Sequence, residues 1–344
     1  LNCDASSSLF DYDGDGDLDL FVGGGGYFKK DQDPFYKDRL YINDGDGIYK
    51  KENSPSLLEN SSFVYPVDLN SDNRQDMIIF AGAKPGNYPE CGRSYVLINS
   101  KDGFKIDTTI LPLSGYLGIV SCAIEYEPFG KNKIVISREW DPLLVLEFGG
   151  NEIIDVTSNY QLEKSSGIWN SIAAIDIDGD GKKEIAGCNV GTNDYYKVNQ
   201  NFPGQLVYGD FLNAGGVDAL QFYQYRDKEY YPKFTLEELF EQNPMFRKFF
   251  PTYKSYSVLN MKGFLNYFKD RELKVKKLYN KNSGYYKWEL NDLVYIPFHD
   301  RLQLSELRKV LCVDINKDGI NDLVAVGNNY DVDVQQGRLD GGGV

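Results

Sequence analysis

Five aspartates stand at alternate positions in "DYDGDGDLDLF", residues 11–21: Asp11, Asp13, Asp15, Asp17 and Asp19. Carboxylates this dense repel one another unless a cation lies among them. The spacing D-x-D-x-D-G-x-x-D suits Ca²⁺, which takes roughly six to eight hard oxygen ligands at about 2.3–2.6 Å. Side chains at loop positions one, three and five can turn towards one point. Glycine at position six permits the reversal, a carbonyl at seven adds an oxygen, and an acid at nine closes the shell.

The pattern recurs. "DLNSDNRQD" supplies Asp68, Asn70, Asp72 and Asp76; "DIDGDGKKE" supplies Asp176, Asp178, Asp180 and Glu184; "DINKDGIND" supplies Asp314, Asn316, Asp318 and Asp322. Two further stretches are eroded copies. "EYEPFGKNK" has Phe129 and Lys133 at positions five and nine, and "DFLNAGGVD" has Leu212 and Ala214 at positions three and five. Lys133 is expected to approach Glu125 and Glu127 and take the place of a cation. An EF-hand needs a bidentate Glu at position twelve, where these loops have Val22, Ile79, Gly187 and Ala325, so that reading fails. A dockerin needs a helix after the loop and close duplication. Positions one, three, five and nine of the four intact loops hold fourteen carboxylates, and about four Ca²⁺ ions would take the formal charge from −14 to −6.

The elements that must hold these loops are strands. Short apolar stretches precede each loop, and runs such as "LDLFVGG", "QDMIIFAG" and "NDLVAVG" follow the intact ones. They are too short for helices and rich in Val, Ile and Phe. Each loop is therefore a hairpin turn. The copies start at 11, 68, 125, 176, 210 and 314, and the first intervals, 57, 57 and 51 residues, suit a four-stranded unit. Small Ala123, Ala174 and Cys312, two residues before their loops, fit an innermost strand near an axis. The expected fold is all-β: a propeller of six to seven four-stranded blades with Ca²⁺-binding hairpin loops.

Composition excludes several classes. A net charge of −14 argues against nucleic acid, which needs basic patches. No apolar run reaches the ~18–20 residues of a membrane span. The 5 cysteines are scattered and odd in number, with no disulfide framework or CxxC metal site. Leu1 is not an initiator Met, so the chain is expected to be a processed or excised piece.

"LFDYDGDGDLDLFVGG", "SIAAIDIDGDGKKEIAG" and "VLCVDINKDGINDLVAVGN" resemble FG-GAP/VCBS repeats, the calcium-loop blades of integrin α-subunit propellers. "RSYVLIN", "KEYYPKFTLEELFEQNPMFRKFFPTYKSY" and "DLVAVGNNYDVDVQQGRLD" are similar to long VCBS-repeat proteins of bacterial surfaces. The resemblance implies a single propeller over 1–344 and structural rather than catalytic Ca²⁺. It also implies an extracellular or cell-surface location, outer-membrane-associated if bacterial, with any membrane tether outside this chain. Such proteins usually continue beyond "GRLD", so a seventh blade would come from pairing of the chain ends or from further sequence.

The interval from 210 to 314 is long. "TLEELFEQNPMFRKFF" shows helical periodicity, and Thr235 with Glu238 fits a capping box. A small helical insertion is expected over 235–270, within the blade that starts near 205. Its aromatic residues, among them Phe240, Phe246, Phe250, Tyr253, Phe264, Tyr267 and Phe268, are expected to pack onto the propeller; the sharper reading is that part of this surface, with Met245, Arg247 and Lys248, recognises a protein or glycan partner. Catalysis has little support. The single histidine, His299, lacks a visible partner, and no nucleophile elbow, HExxH helix or P-loop is present. The leading expectation is a non-catalytic binding scaffold, with subunit of a surface assembly as one form. The alternative is a polysaccharide lyase or hydrolase on a propeller.

Overall fold

The computed structural model describes residues 4–149, 152–194, 196–225, 229–290, 292–319 and 321–327. The first blade is an antiparallel meander of β1 (Asp4–Phe10), β2 (Asp19–Gly24), β3 (Arg39–Asn43) and β4 (Tyr49–Glu52). The second repeats it with β5 (Ser61–Val67), β6 (Asp76–Ala81), β7 (Tyr95–Ser100) and β8 (Gly103–Asp107). The third comprises β9 (Ile119–Glu125), β10 (Lys133–Glu139), β11 (Leu144–Gly149) and β12 (Glu152–Asp155).

The second strands show why these sheets stack face to face. β6 is buried at every residue, and alternate side chains of a strand point to opposite faces. Met77 and Ile79 pack with Phe10, Phe21 and Leu40 of the first blade. Ile78 and Phe80 pack with Val120, Ile134 and Ile136 of the third. A strand sandwiched between two neighbours has no polar side, so its sequence is a continuous apolar run. Each such residue contributes about 1.5–3 kcal/mol on burial. The first strands lie beside one another in the order β1, β5, β9. Asp38 links the first two blades: its buried carboxylate accepts from Gly24 N, Ser56 Oγ, Ser61 Oγ and Tyr95 OH.

The fourth blade is interrupted. β13 (Ser171–Ile175) and β14 (Glu184–Cys188) pair with each other, but the sheet is completed by β19 (Gly284–Glu289) and β20 (Asp292–Pro297). Between β14 and β19 the chain builds a separate sheet from β15 (Gly204–Gly209), β16 (Asp218–Gln224), β17 (Tyr230–Pro232) and β18 (Lys274–Leu278), in the order β17-β16-β15-β18. Three helices, α1 (Leu236–Gln242), α2 (Tyr253–Tyr256) and α3 (Met261–Tyr267), lie between β17 and β18. The stem closes tightly: Asn189 N donates to Ser283 Oγ at 2.9 Å and Gly191 N to Lys281 O at 2.9 Å. The last described sheet is the hairpin β21 (Lys309–Val313) and β22 (Asp322–Val326), with β21 beside β13.

The fold is thus all-β and propeller-like, with four four-stranded blades and a further hairpin among the described residues. The loop at 210 does not begin another blade in this series. It joins β15 to β16, and β15 lies inside its sheet rather than at the edge, unlike every other strand that enters such a loop. The strands near 276–290 likewise belong to two sheets, β18 to the nested one and β19 to the fourth blade.

The helical segment lies where the sequence places it, and its capping box forms, with Thr235 N donating to Glu238 Oε2 at 2.6 Å. Most of its phenylalanines do not face outwards. Phe246, Phe250, Phe264 and Phe268 are buried on Phe211 and Phe222 of the nested sheet. A sheet with one face open must cover it, and these rings are the cover. Among the expected contact residues, Met245, Tyr253 and Tyr267 are exposed, and Arg247 lies over the Phe240 ring.

Close packing fixes one glycine. A Cβ on Gly187 would meet Cζ3 of buried Trp169 at 2.5 Å, so this position of β14 admits the indole only as glycine.

Candidate metal centres

All four intact loops join the first strand of a sheet to the second, and all sit at the same end of their hairpins. The sixth position has positive φ in each: 94° at Gly16, 64° at Asn73, 83° at Gly181 and 89° at Gly319. The fourth position does too, at Gly14, Ser71, Gly179 and Lys317. Glycine fits such positions best, and Asn tolerates them better than most residues, so the local sequence fits the turn.

The hydrogen bonds repeat from loop to loop. The first aspartate accepts from the sixth residue: Gly16 N to Asp11 Oδ2 (3.2 Å), Asn73 N to Asp68 Oδ2 (3.0 Å), Gly181 N to Asp176 Oδ2 (3.0 Å) and Gly319 N to Asp314 Oδ2 (2.9 Å). The ninth acid accepts from the second residue: Tyr12 N to Asp19, Leu69 N to Asp76, Ile177 N to Glu184 and Ile315 N to Asp322, at 2.8–3.0 Å. Main-chain donors therefore aim the carboxylates while leaving lone pairs for a cation.

Carboxylate oxygens of Asp11, Asp13 and Asp15 lie within 4.8 Å of one another, as do those of Asp176, Asp178 and Glu184. In the other two loops an amide shares the cluster: Asn70 Nδ2 donates to Asp72 Oδ2 (3.2 Å) and Asn316 Nδ2 to Asp318 Oδ2 (2.9 Å). Asp17 does not join Asp11, Asp13 and Asp15; its carboxylate lies against Gly45 of the neighbouring loop. Asp180 accepts from Lys182 N and lies 4.0 Å from Lys287 Nζ.

Burial raises three of the acids at position nine, Asp19, Asp76 and Glu184, above their ordinary values. Desolvation is the leading cause for Asp19, Asp76 and Glu184, and nearby loop carboxylates add to it. In the fourth blade a cation is already present: the Lys287 ammonium, from β19, pairs with Asp178. A positive group among the loop carboxylates is the environment that the donor set calls for.

The eroded loops differ. At 125, Phe129 is buried and stacks on Tyr160 with ring centroids 3.7 Å apart. A side chain that would have been a ligand has become core. Lys133 does not approach Glu125 and Glu127: its Nζ pairs with Glu147 at 3.1 Å, while Glu127 lies 3.7 Å from Lys183. Lys133 and Glu147 are direct cross-strand partners on β10 and β11, a proximity that loop spacing alone does not reveal. At 210 the turn survives, with Gly215 N donating to Asp210 Oδ2 at 2.8 Å, but positions three and five carry no acid.

Two asparagines of the third strands also donate main-chain N–H groups to acids at position nine. Asn43 N donates to Asp19 Oδ1 (2.8 Å) and Asn99 N to Asp76 Oδ1 (2.7 Å). Asn99 Nδ2 also reaches Tyr12 O of the adjacent blade's loop at 2.8 Å. Their sequence signal is the repeated Ile-Asn in "RLYIN" and "YVLIN". Lys287 has no such signal. His299 is exposed and caps a turn, accepting from Arg301 N at 3.3 Å.

Residues 11–79, spanning the first two acidic loops and the strands between them, match the FG-GAP-like repeat family. No curated protein matches the chain. Among the described residues no helix is long and apolar enough to cross a membrane.

Proposed function

We propose that this chain, which carries an FG-GAP-like repeat, is a calcium-stabilised, non-catalytic binding scaffold of the cell surface or extracellular space. The observation that carries the reading is the fourfold recurrence of one arrangement. Main-chain donors hold first-position and ninth-position acids around a point that each hairpin turn encloses. Asp11, Asp13 and Asp15 would hold one ion with Asp19 closing the shell. Asp68, Asn70, Asp72 and Asp76 would hold a second. Asp176, Asp178, Asp180 and Glu184 would hold a third, and Asp314, Asn316, Asp318 and Asp322 a fourth. The ion supplies charge neutralisation and pins the turn. Millimolar Ca²⁺, as found outside cells, saturates even weak sites of this type.

The role of His299 as a surface cap supports a binding role over the lyase or hydrolase alternative. The partner is expected to be a protein or glycan, engaged by loops that the rigid blades hold in place. Elemental analysis after gel filtration in millimolar Ca²⁺ tests the metal assignment directly. About four equivalents per chain are expected, and a content below one would reject it.

The fourth-blade loop offers a finer test. Lys287 must leave Asp178 when an ion enters, so Lys287→Gln is expected to tighten Ca²⁺ at that loop. An exposed ion pair is worth about 0–1 kcal/mol, or up to roughly fivefold in affinity. Calorimetric titration of parent and variant measures it. Unchanged or weaker binding in the variant would show that Lys287 does not compete with the ion.

A further inference from the structure

The nested sheet contains a cavity of about 380 Å³ walled by Tyr196, Tyr223, Tyr225, Tyr231 and Pro232. Tyr223 and Tyr231 are paired residues of β16 and β17. Tyr196 comes from the stem, where its hydroxyl donates to Lys233 O at 3.0 Å. Its ring lies 4.8 Å from that of Tyr223, tilted by 35°. Tyr223 is buried, whereas Tyr225 is open to solvent. The wall is therefore rigid at its base and accessible at its rim.

The surrounding charge is unusual for this chain. Lys281 Nζ is 6.0 Å from the Tyr223 ring centroid and Lys233 Nζ is 5.8 Å from that of Tyr196. Asp194 pairs with Lys281, while Lys197 and Lys233 act on Lys281 as further positive charges, within a protein of net charge −14. A cationic ligand, the usual guest of an aromatic cage, would meet like charge here. An acidic guest with an apolar face would not.

We propose that this cage binds a pyranose ring bearing a carboxylate, the uronic-acid unit of an anionic glycan. The ring's C–H face stacks on Tyr225 and Tyr231, and its carboxylate lies towards Lys233 and Lys197. Flat aromatic walls with polar tips suit a ring that is apolar on its faces and hydroxylated at its edge. This assignment deepens, and rests on, the reading of the chain as a non-catalytic scaffold.

The test is calorimetric titration of the full chain in Ca²⁺ with a hyaluronan tetrasaccharide, with chitotetraose as the neutral counterpart and a Glu-Pro decapeptide as a third probe. The uronate tetrasaccharide is expected to bind at least about fivefold tighter than chitotetraose, and to weaken as salt screens the lysines. Tyr225→Ala should weaken it about tenfold. Lys233→Gln should remove most of the preference over chitotetraose. Equal binding of both sugars, binding indifferent to Tyr225→Ala, binding of the peptide alone, or no binding would each overturn the proposal. Chromatography of the recovered sugar separates the two readings. A shortened product would overturn the non-catalytic scaffold, whereas intact, unbound sugar would overturn only the uronate site.

Discussion

Removing calcium is expected to lower the melting temperature of this protein by about 10 °C or more. A ligand that binds only the native state stabilises by mass action, by about 2.7 kcal/mol per site at a hundredfold excess over its dissociation constant. For a chain of this size, 1 kcal/mol corresponds to roughly 2–4 °C. The loss is enlarged because emptied loops keep acids that burial already disfavours in their charged form, Asp19, Asp76 and Glu184. Thermal melts in millimolar Ca²⁺ and in EDTA, on protein of known metal content, measure the shift. Superimposable melts from protein that carries no metal would reject structural calcium altogether.

The second large effect lies far from the loops. Phe264→Ala is expected to cost about 3–5 kcal/mol, the range for a buried phenylalanine whose site cannot collapse. The Phe264 ring meets Phe211 edge-on at 5.2 Å, Phe222 at 5.2 Å and Phe268 at 4.8 Å. Urea denaturation measures the loss. Trypsin should also cut faster at Arg247, Lys248, Lys254 and Lys262 in the variant. The EDTA-induced shift should keep its size, because Phe264 touches no metal loop. A cost below about 1 kcal/mol would mean that the helices leave these rings unburied, and would revive them as a contact surface.

These expectations mark what the sequence discloses. The acidic hairpin turns were legible because their determinants are local: alternate acids, a glycine or asparagine at position six, and strands on either side. Asn43 and Asn99 were half-legible, as a repeated Ile-Asn whose purpose appears only when the third strand is laid beside the second. Lys133 was misread because its partner, Glu147, is fixed by β10–β11 register rather than by loop spacing. Packing of the aromatic helices was legible, but not what they pack on: Phe211 and Phe222, which they cover, lie outside the helical segment and precede it in the chain. The nested topology was not legible. Strand patterns for β14 and β15 look alike, and nothing local in "KEIAGCNVG" states that the next partner of β14 is β19.

That topology also bears on how the chain folds. Ile185 pairs with Tyr286 across an intervening segment that holds an entire sheet and three helices. If that segment were a flexible coil, its closure would be a slow, entropically costly search. The nested sheet has its own apolar core, and its β15–β18 pairing brings its two ends together at the Asn189–Ser283 stem, so it can form as a unit. The fourth blade would then close over a short effective loop. Its completion becomes a late event that waits on its guest, although β13 and β14 are synthesised long before.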